Sequence, residues 1–288
     1  MRRFGDRRDA VKVRDMDGLH KIMVCFKPLR ADSDVYIDEE IDVTALMAWL
    51  RDKKAADPEL TFFHVICDAL AMMLYNRPLL NRYVLSRRWY DRTEVSIGFV
   101  AKVALDDESK ENVSLIKFDP TDTLGDVKDK IAAKVRDVRS DTNYSTGGVI
   151  DFLGHLPQAL VNPIVWALKQ ADVHDLLPAA MISDDIYHST LIVSNLGSIQ
   201  CESIYHNLTD FGTSSMLVAI GQIHKASVVN ENGEAEIRDM CRFGMTCDER
   251  IADGFYFAKS INMLKWVLAH PEVLEQPIGQ PVGFDAPR

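Results

Sequence analysis

Apolar positions along this chain change period repeatedly, and each change marks an element. Val35, Ile37 and Ile41 alternate with acidic residues through 35–43, the pattern of a half-buried strand. Leu46, Met47, Trp49 and Leu50 then fall at helical spacing, with Thr44 placed to cap them. A second helix is predicted after Pro58. Thr61 caps it, Phe62, Val65, Ile66, Ala69, Leu70, Met73 and Leu74 form a wide apolar stripe, and Pro78 stops it. Val95, Ile97, Phe99 and Val103 alternate within 94–105, and 113–118 reads as the next strand. Leu124, Val127, Ile131, Val135 and Val138 share one face of a charged helix over 122–139. Further strands are predicted at 189–196, 215–220, 225–229 and 236–247, the last two turned at 230–233. A last helix over about 251–269 ends before Pro271. The segment 20–26 is apolar enough for another strand, and the Pro-containing tail 276–288 reads as irregular.

Strands and helices alternate, yet several connections have hairpin length. That combination predicts a mixed sheet in one layered α/β domain. The stretch 143–183 stands apart. It holds Val149, Ile150, Phe152, Leu153, Leu160, Ile164, Val165, Trp166 and Leu168, broken by Pro157 and Pro163. A helical subdomain over the core, a lid over a channel and an interfacial membrane anchor all fit it. Its apolar density with few lysines favours packing.

Composition narrows the function. Across 288 residues, 47% are hydrophobic and 26% charged, the balance of an ordinary globular chain. A net charge of -10 argues against non-specific nucleic-acid binding, which needs a positive field. The arm 1–17 departs from this with Arg2, Arg3, Arg7, Arg8, Lys12 and Arg14, and reads as solvated. No secretory signal is visible and no run reaches the ~18 apolar residues of a membrane span. The five cysteines fit neither a disulfide framework nor a zinc site, so free thiols in a reducing cytoplasm are expected, with no metal. Asp210-Phe211-Gly212 is a chance match to a kinase triplet, and Asp106-Asp107-Glu108 reads as a solvated turn.

One constellation is more specific. Asp248-Glu249-Arg250-Ile251-Ala252-Asp253-Gly254 resembles the D-H-R-x-x-D-G signature of dihydrolipoyl acyltransferase catalytic domains, in the chloramphenicol acetyltransferase-like superfamily. Ile192-Val193-Ser194-Asn195-Leu196-Gly197 resembles the family's T-I-S-N-L-G strand, and Asp42-Val43-Thr44-Ala45-Leu46 its first long helix. Asn76-Arg77-Pro78-Leu79-Leu80-Asn81 resembles the end of the following helix, and 217–221 the strand after the serine. The order matches, and the resemblance covers roughly 18–275. It implies an α/β fold, a two-layer mixed sheet with helices and a helical insertion at about 143–183. It also implies a homotrimer whose active site lies between subunits, with coenzyme A or acyl-CoA entering from one side and the acyl acceptor from the other. Ser194 is then the oxyanion donor, Asn195 and Gly197 lie at the coenzyme A side, and Asp253 holds local structure, paired with Arg250 or capping a helix. No lipoyl domain with its D-K-A lysine is visible, so a lipoyl group would come on another protein.

The family's catalytic histidine is here Glu249. A free glutamate titrates near 4.3 and a histidine near 6.5, against about 8.5 for a thiol. The carboxylate therefore starts roughly 4 units from its proton donor instead of 2. Burial could raise it. Three readings stay open: Glu249 as general base; a relocated histidine, with His206 best placed and His64 and His188 less so; or a catalytically inactive scaffold.

Overall fold

The computed structural model describes residues 3–102, 111–140, 154–230 and 232–284. In chain order the elements are β1 (Ala10–Lys12), α1 (Gly18–Phe26), β2 (Asp34–Asp42), α2 (Thr44–Ala56), α3 (Phe62–Asn76), β3 (Arg82–Leu85), β4 (Arg88–Arg92), β5 (Val95–Lys102) and β6 (Glu111–Phe118). There follow α4 (Leu124–Ser140), α5 (Gln158–Val173), α6 (Ala179–Ile182), β7 (Leu191–Asn195), β8 (Met216–Val229), β9 (Ala235–Asp248) and α7 (Gly254–Ala269). Six strands form one sheet in the order β2-β9-β8-β7-β5-β6. Strand β7 runs parallel to β5 and β8, while the other pairings are antiparallel. The sheet is therefore mixed, as the alternating elements and short connections predict.

Period-two alternation divides the sheet's faces. Ile97, Val193, Val218 and Phe243 meet Leu46, Leu70, Met72 and Leu264 of the helices in the main core. Their neighbours Ile192, Leu217 and Ala219 face the other way, where Ile186, just before β7, and Leu208, in the β7–β8 connection, cover them. Ser194, one residue beyond Val193, belongs to this second face. Helix α3 begins with the predicted Thr61 cap, and His64 completes it by accepting the Thr61 N–H at 3.2 Å. His64 is thereby engaged in capping.

Several expectations need correction. Residues 20–26 are helical: Asp17 accepts the His20 N–H at 3.0 Å and opens α1. Thr44 is the first helical residue of α2, not its cap, and its hydroxyl accepts the Asp239 N–H. The strands predicted at 215–220 and 225–229 are one strand, β8, with a bulge between Ile220 and Ile223. A second, three-stranded sheet, β1-β4-β3, was not foreseen. Its β3–β4 turn carries Ser86 and Arg87 at φ 49° and 61°, a left-handed pair made without the usual Gly or Asn.

The basic arm is solvated only in part: Arg3, Arg8 and Arg14 are exposed, but Arg7 is buried. Buried Arg7 bonds Asp172 of α5 through both the carbonyl and the carboxylate, and Arg8 bonds Asp175. Helix α5 is fastened at this end, yet Leu160 and Trp166 are 52% and 65% exposed. The expected packing of 143–183 thus holds only at its C-terminal part within one chain. Its first residues through 153, the Asp106-Asp107-Glu108 turn and Val103 lie outside the described residues, as does Pro287 in the tail. No described helix is long and apolar enough to cross a membrane.

Candidate acyl-transfer site

The Asp248–Gly254 motif folds as a turn between β9 and α7. The Asp248 N–H reaches the Ser215 carbonyl at 2.9 Å, and the Glu249 N–H reaches that of Ser33 at 3.0 Å. Arg250 is buried and grips Asp248 through two parallel bonds, Nε–Oδ1 at 2.8 Å and Nη2–Oδ2 at 2.7 Å. Its Nη1 donates to the carbonyls of Lys27 and Pro28, and its own carbonyl accepts the Trp89 indole N–H. A rigid guanidinium with five donors can hold both segments at once in fixed geometry. This clamp fixes the end of α1 against the turn. Arg250 is therefore paired with Asp248, not Asp253. Asp253 is the N-cap of α7, accepting the Tyr256 N–H at 2.7 Å.

A second arginine lies beneath the turn. Buried Arg30 bonds the Asp210 carboxylate through its backbone and the Thr209 carbonyl through its side chain. Burial lowers it to about 10, with Asp248 opposing the fall and Arg250 and Arg92 adding to it. Asp34 is raised, first by burial and further by Asp248 and Asp210. Asp210 thus serves this buried network, and Gly212 is glycine because a Cβ would meet the Tyr187 carbonyl oxygen at 2.2 Å. The kinase-like triplet is structural.

Glu249 lines two cavities. One, of about 150 Å³, is lined by Leu19, His20, Met23, Val24, Trp89, Glu249, Arg250 and Asp253. The other, of about 400 Å³, is bounded by Val35, Ile37 and Glu39 of β2, Glu249, and Phe257, Ala258 and Ile261 of α7. The Glu249 carboxylate is ion-paired with the Lys27 ammonium, and its side chain is 34% exposed. A separate cavity between β6 and α4, lined by Lys117, Lys130 and Lys134, lies apart from the motif.

Ser194 is not beside Glu249 within one chain. It pairs with Ala219, which pairs with Gly244, and Glu249 lies five residues farther along. At ~3.4 Å per residue that offset alone is roughly 17 Å. His206 is half-buried in the strap that crosses the same face, between Tyr205, which packs on Tyr36, and Asn207, which accepts the Tyr36 hydroxyl. Neither Ser194 nor His206 lines the cavities at Glu249. His188 is buried between Asp172 at 3.3 Å and Asp185 at 2.6 Å, far into the packing of the arm. Asn195 ends β7, its carbonyl accepting the Ser198 hydroxyl. A Cβ on Gly197 would sit 2.6 Å from the Gly221 carbonyl oxygen, so this glycine answers to backbone packing. The sequence reading missed His20. It lines the smaller cavity, and the Asp17-Gly18-Leu19-His20 start of α1 was its available signal.

Residues 174–275 match the family of 2-oxoacid dehydrogenases acyltransferase (catalytic domain). A probable dihydrolipoamide acetyltransferase of Listeria monocytogenes 4b F2365 superposes with a TM-score of 0.59 at 18% identity, covering 90% of this chain and 95% of that one. The Azotobacter vinelandii dihydrolipoamide acetyltransferase gives 0.60 at 16% identity, over 91% and 93%. A chloramphenicol acetyltransferase gives 0.53 at 13% identity, over 90% and 100%. The fold is that of the chloramphenicol acetyltransferase-like acyltransferases. Comparison with curated protein sequences gave no match.

Proposed function

We propose that this chain is an acyltransferase that moves an acyl group between coenzyme A and a thiol or hydroxyl acceptor. The observation that carries the reading is the position of Glu249, which lines two separate cavities at the motif turn. A transfer reaction needs this layout: donor and acceptor approach one point from different directions and need not displace each other. Ser194 joins the site from a second copy of the chain, most simply in a homotrimer, and donates its hydroxyl to the thioester oxygen as that oxygen gains charge. Asn195 and Gly197 then lie on the coenzyme A side. The acceptor is a small thiol or alcohol, or a lipoyl group presented by another protein.

One observation favours a second reading, an inactive scaffold. The Lys27 ammonium already engages the Glu249 carboxylate, and an ion pair occupying this position would suit a protein that only binds. Incubation with acetyl-CoA and a small dithiol separates the two, with the acyl-dithiol and free coenzyme A read by mass spectrometry. The acyltransferase reading expects saturable product formation. It also expects Glu249→Gln to lower turnover by about ten-fold, the loss of roughly 1.4 kcal/mol of charge stabilisation. Wild-type turnover in Glu249→Gln would remove this residue from the site.

A further inference from the structure

We infer that His20, oriented by Asp17, is the proton acceptor of the site, in place of the residue at the motif position. The inference rests on the acyl-transfer reading and names its missing base. Three observations lead to it. His20 and Glu249 line the same cavity of about 150 Å³. The His20 ring Nδ1 lies 2.5 Å from the Asp17 Oδ2. The His20 side chain is 35% exposed, open to a reactant yet packed enough to hold one orientation.

The chemistry follows from the donor inventory. A carboxylate only accepts, so the Nδ1 facing Asp17 carries the hydrogen and Nε2 of the neutral ring carries the lone pair. Asp17 is itself fixed, because its other oxygen accepts the His20 backbone N–H as the cap of α1. The Arg250 clamp then fixes the far end of α1 through the Lys27 and Pro28 carbonyls. In the step, Nε2 takes the proton of the acceptor's thiol or hydroxyl as its sulfur or oxygen bonds to the thioester carbon. The carbon–sulfur bond to coenzyme A then breaks, and the departing thiolate takes the proton from the imidazolium. Acyl-CoA and acceptor become acyl-acceptor and coenzyme A, with the base restored. Glu249 and Asp253 place carboxylates on the same cavity as His20, with Arg250 on its lining and Lys27 paired to Glu249.

Four measurements test this on the full-length chain. His20→Gln should lower kcat by at least about 100-fold, the scale of general-base catalysis, with the KM for acetyl-CoA within about three-fold. The wild-type rate should rise with pH as the base loses its proton, and that rise should vanish in His20→Gln. Asp17→Asn keeps a good helix cap but can reverse the ring tautomer. It should keep the wild-type melting temperature and lose activity, a combination that a purely structural role would not give. Bromoacetyl-CoA supplies a readout independent of turnover. Nε2 displaces bromide, a nitrogen–carbon bond forms, and the adduct maps by peptide mass spectrometry to His20, absent in His20→Gln. An adduct on Glu249 or elsewhere, or full turnover in His20→Gln, overturns the assignment while leaving the acyltransferase reading standing. Absence of both labelling and coenzyme A binding overturns the two together.

Discussion

At the scale of single residues, the informative side chains are the buried charges. Asp68 on α3 is fully buried, and neither carboxylate oxygen has a hydrogen-bond partner. Burial, with the charge of Asp122 adding to it, pushes its carboxyl up to about 8. An acid raised in the folded state takes up a proton on folding, so stability falls as pH rises from about 4 through 8. Asp68→Asn should therefore stabilise the protein by several kcal/mol at neutral pH, at ~1.4 kcal/mol per unit. Denaturant titrations at pH 5 and pH 8 check this, and an equal pH dependence in wild type and variant would contradict it. Arg250 is the opposite case: a buried charge with every partner in place. The sequence displayed the motif plainly, but not that Asp248 would be the arginine's partner. Two residues of spacing at a strand end let the carboxylate turn back beneath the guanidinium, and no periodicity reports that. Glu249 was legible as a substitution, while its Lys27 contact, 222 residues away in sequence, was not.

At the scale of elements, what could be read in advance was whatever had a strong period. Strands β2, β5 and β9 and helices α3, α4 and α7 follow their apolar spacing closely. Helix α1 did not, because His20–Phe26 is apolar on several sides and only Val24 is buried. Its one decisive signal was the capping aspartate, and with that went the site histidine. Strands β3 and β4 were missed because Ser86 and Arg87 make a left-handed turn without its usual residues. The joint between the N-terminal arm and α5 was also hidden, since Arg7 and Asp172 are distant in sequence. That joint titrates. Burial alone would lower His188, but hydrogen bonds to Asp172 and Asp185 outweigh it and leave the imidazole raised. Asp172 is held low by His188 and Arg7 against its own burial. A raised histidine adds stability fully below its unfolded value near 6.5, and that stability is lost as pH rises through the folded value. Arg7→Ala should cost about 3 kcal/mol, the scale of breaking a buried pair, and speed proteolysis within 3–17. His188→Gln should make arm cleavage independent of pH between 6 and 9. Unchanged cleavage in Arg7→Ala would show that the joint does not hold the arm.

At the scale of the whole molecule, the single chain leaves apolar surface without a partner. Leu19, Ile22 and Phe26 line one side of α1, and Trp166 and Leu160 project from α5. Patches of this kind mark interaction surfaces, and the site proposed above takes Ser194 from a second copy. Sedimentation should find a trimer at micromolar concentration, and Phe26→Asp should weaken it; a wild-type monomer would exclude the shared site. The architecture itself was readable early, because two motifs in the right order fixed a fold that the sheet topology then met. The assembly was not, since its contacts join chains and leave no period in either. The central claim is that the two cavities meeting at Glu249 receive coenzyme A and the acyl acceptor, and a calorimetric titration of the purified chain with coenzyme A tests it most directly. The account predicts saturable heat with one site per chain, weakened in Glu249→Gln. No detectable heat at millimolar coenzyme A would contradict it.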